Sequence, residues 1–378
     1  MEIIWEIEKK SVSLSPEMKQ KRSIIILAIL LALIAVIRFV PGAGEVYALK
    51  LYPHISTVLS YISAFCPVSL DECVAIAGIL WLIVTLVKGI KQAEKWWKIL
   101  IKTGKILCLY LVWFYLGWGC NYFRNDFYHR MEIIPAQADK EIFMVFAKEY
   151  AERLNESWLL LEKEEDSMIK SMQWKEERDG WKDSITTEVK ALYHHLPAKA
   201  GLCLPKDYQK PKEMLLNRLY SASGVLGFMG PWMCENLLNA DLLPVQYPTV
   251  YAHELSHLLG VNNEAEANFW AYYVCTRSSC PEVRYSGYLG VLPYVLSNAR
   301  MMLKEEEYRE YYQAICPKII EQQREIAVHW QGRRIAFVDH LQNLLLDLQL
   351  KGNNIPTGLS NYNQVVELII SAQENTQN

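Results

Sequence analysis

His253, Glu254 and His257 lie within Val250–Tyr273, VYAHELSHLLGVNNEAEANFWAYY, and Glu264 and Glu266 follow a few residues on. Two histidines four apart share one face of a helix and can offer imidazole nitrogens to one ion. Glu254 sits about 100° around that helix, out of ligand position but within reach of a water beside the ion. That is the H-E-x-x-H arrangement in which a glutamate serves as general base. The competing reading is an amphipathic helix whose histidines only pack, and a third ligand decides between them. Asn263 is a good N-cap for a second helix, and Glu266 occupies the capping-box position three residues later. Glu264 is left free to face the ion, with Asn268 one turn on to brace its carboxylate. Glu264 is therefore the preferred third ligand and Glu266 the alternative. Two histidines, a carboxylate and an open position describe a catalytic Zn2+ site with Glu254 as base.

The elements that must hold these residues can be read around them. Pro248 and Gly260 bracket a helix of about three turns, Thr249–Leu259. Ser221–Gly230, SASGVLGFMG, has glycines at 224, 227 and 230 that oppose a helix. It reads as a short strand whose edge can take an extended peptide, with a hydrophobic loop as the alternative. Helical spacing continues over Glu141–Leu161, Met301–Trp330, Gly332–Leu350 and Tyr362–Ser371, while Lys163–Asp183 reads as a charged, solvated stretch.

The amino-terminal third is different. Three apolar runs, about 23–40, 72–89 and 100–120, are long enough to cross a bilayer, the third being the weakest. Lys9, Lys10, Lys19, Lys21 and Arg22 before the first run, and Lys88, Lys91, Lys95 and Lys98 after the second, predict a cytoplasmic amino terminus. Residues 1–22 then form a cytoplasmic segment, 23–120 a membrane domain, and 121–378 an extracytoplasmic domain. Outside the cytoplasm disulfides are permitted, so Cys275–Cys280 is expected to pair, while Cys66 and Cys73 are close enough to pair or to stay as free thiols. A net charge of -3 gives no basic excess and argues against nucleic acid as a partner. The expected partners are the lipid bilayer and a peptide or protein substrate.

HELSH followed by EAEAN resembles the gluzincin metallopeptidases, whose third ligand opens an E-x-x-x-D or E-x-x-x-N helix. The chain also resembles a bacterial membrane family described only as domain of unknown function 3810. WGCNYFRNDF (118–127), GFMGPWMCENLLN (227–239), HELSHLLGVNNEAEANFWAY (253–272), YSGYLGVLPYVL (285–296) and SNYNQVVELI (360–369) carry that likeness. The gluzincin resemblance implies His253, His257 and Glu264 as zinc ligands and Glu254 as base. With it, the expected fold is mainly α: three transmembrane helices, then a zincin-like, mostly helical α+β domain with a short edge strand. An oxyanion donor is also required, and Tyr285, Tyr288, His194 and His195 are the candidates. The expected protein is a zinc metallopeptidase of the bacterial cell membrane. The alternatives are a non-catalytic membrane protein using the zinc site for structure or ligand sensing, and a zinc hydrolase acting on something other than peptides.

Overall fold

The computed structural model describes residues 16–377 apart from 137–138, 165–166, 172–179 and 354–363. Lys9, Lys10 and about half of the charged 163–183 stretch lie outside the described residues. The architecture is mainly helical. Pro16–Phe39 (α1), Leu70–Lys91 (α3) and Trp96–Gly117 (α4) are long and apolar enough to cross a membrane. Mean hydropathy falls from 2.5 to 2.3 to 1.6 along the three, so the third is indeed the weakest. Their side chains are largely uncovered by protein, the pattern of helices whose solvent is lipid. Tyr52–Ala64 (α2) lies between the first two and belongs to the folded domain: Tyr52 is fully buried.

Lys140–Lys163 (α5) and Trp181–His194 (α6) flank the core helices Tyr247–Leu258 (α8), Glu264–Cys275 (α9) and Pro281–Met302 (α10). Glycines allow the close approach: a Cβ at Gly287 would sit 2.6 Å from Cys275 Cβ, and one at Gly290 2.5 Å from Thr249 Cγ2. Inside α10, Pro293 cannot donate to Leu289 O, and that carbonyl takes Gln323 Nε2–H instead, at 2.9 Å. Glu305–Ala314 (α11), Pro317–Gln331 (α12), Ala336–Gly352 (α13) and Val365–Gln377 (α14) follow. The long helical stretch expected from Met301 is cut at Cys316–Pro317, where proline opens α12.

A small sheet stands against α8. Lys212–Glu213 (β1) pairs in parallel with Glu235–Leu238 (β3), and Gly227–Gly230 (β2) pairs antiparallel on its other side. β2 is thus an edge strand. The expected strand is only half realised, because Asn217–Ala222 (α7) closes as a helix before the glycines take over. The sheet is seated on the end of α3. Glu235, buried, accepts from Leu70 N–H, Asp71 N–H, Ser69 Oγ–H and Lys212 Nζ at 3.1, 3.0, 3.1 and 2.6 Å. Asp71 in turn accepts from Trp232 N–H and Met233 N–H at 2.7 and 2.9 Å, and Glu72 from Leu215 N–H and Leu216 N–H at 2.8 and 3.0 Å. A membrane-type helix and the edge hairpin therefore cap each other's orphan backbone groups.

The expected Cys275–Cys280 disulfide is absent: Cys66, Cys73, Cys275 and Cys280 are all free thiols. Cys275 is fully buried, its Cβ pressed on Gly287 and its Sγ directed at Pro248 O (3.9 Å). Cys280 is half-buried at the start of α10, where its N–H donates to Ser278 Oγ. Cys275 is committed to the α8–α10 packing and faces away from a bridge. Cys73 is exposed on α3 while Cys66 lies in the turn before it.

Candidate metal centre

Pro248 in the first turn and Gly260 (φ 105°) just past the end delimit α8 as the sequence implies. The chain re-enters helix at Glu264, with Asn263 Oδ1 accepting Glu266 N–H at 3.0 Å. The short turn folds α9 back on α8, and that return brings Glu264 to the two histidines.

Each imidazole is oriented by its far nitrogen. His253 Nδ1 meets Asn268 Oδ1 at 3.0 Å and His257 Nδ1 meets Val261 O at 2.9 Å, so each Nδ1 donates and each Nε2 keeps its lone pair. Those two Nε2 atoms stand 3.1 Å apart, and Glu264 Oε2 lies 3.2 Å from one and 3.5 Å from the other. Tetrahedral bonds of 2.0–2.1 Å would separate neighbouring donors by about 3.3 Å, so the three positions fit one zinc ion. Two lone pairs and a carboxylate facing one another repel unless a cation or protons sit between them. Among the described residues, these three form the one cluster of His, Cys, Asp and Glu arranged to hold an ion.

The electrostatics agree with the geometry. Burial opposes charge on His257, but the Glu264 carboxylate overcomes it and raises the imidazole to about 9. Burial also pushes against ionised Glu264, and the two imidazoles outweigh it and hold the carboxyl far below its ordinary value. The helix carbonyls around the site are pinned as well. Trp118 Nε1–H donates to His257 O at 2.8 Å, Tyr52 OH to Leu258 O at 2.6 Å and Tyr193 OH to Ala252 O at 2.7 Å.

Glu254 is buried beside β2. A Cβ at Gly227 would lie 2.8 Å from Glu254 Cγ and Oε1, so glycine alone gives the carboxylate its room. Burial raises the Glu254 carboxyl above the usual range, while both imidazoles and the Met229 backbone N–H pull it down. Asn239 N–H bonds Leu226 O, so in this ladder Phe228 and Gly230 exchange bonds with β3 while Gly227 and Met229 turn their backbone groups outward. The outer edge of β2 and the Glu254 carboxylate thus face the same space.

The two glutamates separate cleanly. Glu266 turns away from the cluster and pairs with Arg130 Nη2, both side chains being almost wholly buried, and accepts Trp270 Nε1–H at 2.9 Å. Asn268 braces His253, and the expected contact with Glu264 is not what the geometry gives. The expected oxyanion donors are not in place. Tyr285 is fully buried and donates to Gln322 Oε1 (2.6 Å), Tyr288 packs among Tyr150 and Tyr272, and His194 and His195 are exposed at the end of α6. Tyr294 on α10 is instead the phenol that feels Glu264 and Asn268. Burial pushes its phenol up to about 12, with the Glu264 charge adding to the rise and Asn268 opposing it. The clue lay in Gly287 and Gly290: Tyr294 is the next residue on the α10 face that those glycines press against α8 and α9.

Fold and site together define a class: a helical protein with three apolar helices, a small sheet, and a His–His–Glu cluster beside a buried glutamate. The chain belongs to the family described as protein of unknown function, DUF3810, whose model matches residues 47–370. No curated protein and no solved structure matches it.

Proposed function

We propose that the protein is a membrane-anchored zinc metallopeptidase that hydrolyses peptide bonds at the His253–His257–Glu264 centre. The observation that carries the reading is the convergence of His253 Nε2, His257 Nε2 and Glu264 Oε2 at 3.1–3.5 Å, with Glu254 alongside and outside the ligand set. Zinc held there would polarise the scissile carbonyl and lower the pKa of an attacking water. Glu254, placed between β2 and the imidazoles, takes the water's proton and delivers it to the leaving nitrogen. Tyr294, whose phenol feels the Glu264 charge, is the candidate donor to the developing oxyanion. The outward backbone groups of Gly227 and the Met229 carbonyl supply hydrogen bonds that align an extended peptide as an added strand. A structural or sensing role for the ion gives no reason to bury an extra carboxylate beside it, because burying an unligated charge is costly.

The orientation completes the proposal. The basic residues Lys9, Lys10, Lys19, Lys21 and Arg22 ahead of the first apolar run, and Lys88, Lys91, Lys95 and Lys98 after the second, support a cytoplasmic amino terminus and a catalytic domain outside the cytoplasm, in a bacterial cell membrane. The test is direct. Protein purified without chelator should hold about one zinc per chain by mass-spectrometric metal analysis. Absence of any bound transition metal would remove the mechanism.

A further inference from the structure

α13, Ala336–Gly352, carries an apolar stripe that no described part of the chain covers. Phe337, Leu341, Leu344, Leu345 and Leu348 fall within about 100° of arc on the helix. Their exposure runs from 45% at Leu341 to 76% at Phe337. Leu346 and Leu350 point the other way, and Leu350 is fully buried against the domain.

Both ends of this helix are tied to the ends of the apolar spans. At its start, Ile335 N–H donates to Ala222 O at 2.9 Å and Arg334 packs over Gly224, at the close of α7. The residues leading into α7 are bonded to Glu72 in the first turn of α3. At its far end, Gly352 O accepts Arg38 Nη2–H (3.5 Å) from the last turn of α1, and Asn353 Oδ1 accepts Tyr115 OH (2.8 Å) from the last turn of α4. A helix of 17 residues is about 25 Å long. It therefore runs across the end of the three-helix group, from the α3 side to the α1 and α4 side. Further exposed apolar residues continue the same level: Leu215, Leu216 and Leu219 beside Glu72, and Phe39 and Val40 at the end of α1.

We propose that α13 lies in the interfacial layer of the bilayer that α1, α3 and α4 are built to cross, with its Phe337–Leu348 stripe among the acyl chains. An amphipathic helix lying flat at the span ends has that shape, with its apolar face turned into the acyl boundary. A soluble partner would not require both ends of the helix to be fixed at the ends of the apolar spans, and lipid is the surface already there. β2 follows α7 by a few residues, so the docked helix holds the edge strand close to the membrane. On the hydrolytic reading, which this last step rests on, the substrates are peptide segments that emerge from the bilayer or are attached to it. The placement of α13 itself is independent of that reading.

The test uses the full chain in nanodiscs of phosphatidylethanolamine and phosphatidylglycerol. A photoreactive diazirine amino acid replaces Leu344 in one preparation and Asn343, exposed on a different side of the helix, in another. Mass spectrometry after illumination should find lipid adducts several-fold more abundant at 344 than at 343. Adducts at 344 to a second chain or to another part of the same chain, equal lipid labelling at both positions, or water quenching at both would each overturn the placement. None of these outcomes depends on whether the protein hydrolyses anything.

Discussion

At the scale of single residues, Glu254, Glu264 and Glu266 have three different fates within one helical hairpin. Glu254→Gln keeps shape and removes the base, so zinc should remain bound while hydrolysis of any identified peptide falls at least ~100-fold. Wild-type turnover in that variant would take the base role from Glu254. Glu264→Gln weakens the one anionic donor of the cluster and should lose zinc under a chelator challenge that the parent protein survives. Glu266→Gln should keep its zinc, yet it leaves Arg130 without its carboxylate in a buried place and should cost roughly 3 kcal/mol of stability. Thermal unfolding and metal content on the same two variants separate these outcomes. Glu266, read from the sequence as a capping-box residue, is thus also the partner of buried Arg130. The acid–base signs can also be worked out. In the metal-free protein the raised pKa of His257 contributes stability that is full below the unfolded value of 6.5 and disappears as pH rises through about 9. Protons compete with zinc for the same nitrogen, so the zinc-loaded protein should move the opposite way and lose metal as the pH falls. Melting curves with and without chelator at both ends of that window should cross in sign.

At the scale of elements, the decisive contact is between β2 and α8. Gly227 is the residue that lets an edge strand approach a buried glutamate. Gly227→Ala would drive a methyl against Glu254 Cγ and Oε1 without touching a ligand. We expect zinc to stay while turnover drops about 10- to 100-fold, the scale at which small displacements of a reacting group are felt. Unchanged turnover would show that the carboxylate has room to shift. Tyr294 belongs to this scale too, since Gly287 and Gly290 deliver it by packing α10 against α8 and α9.

At the scale of the whole molecule, the small sheet is bonded to the end of an apolar helix through Glu235, Asp71 and Glu72. The sheet and the apolar helices are therefore joined directly by these bonds. Reporter fusions after Asn121 and at Asn378 should both signal an extracytoplasmic location, and a cytoplasmic signal from both would invert the proposed orientation.

Local patterning was enough to read the three apolar helices, the α8 limits and the His253–Glu254–His257 register, because hydropathy, proline and glycine act within one or two turns. That Glu264 rather than Glu266 would face the two histidines was also legible, since an N-capped helix can turn only one of the two toward them. What neighbours across the fold would do was not legible. Arg130 comes from 136 residues away to claim Glu266, and Asn268 turns to His253. Cys275 spends its side chain on packing against Gly287, so proximity in sequence to Cys280 brought no disulfide. Tyr294, not Tyr285 or Tyr288, is the phenol that feels Glu264, for the same reason. Helix faces are assigned by which partner helix buries them, and that partner is chosen only when the chain has closed on itself.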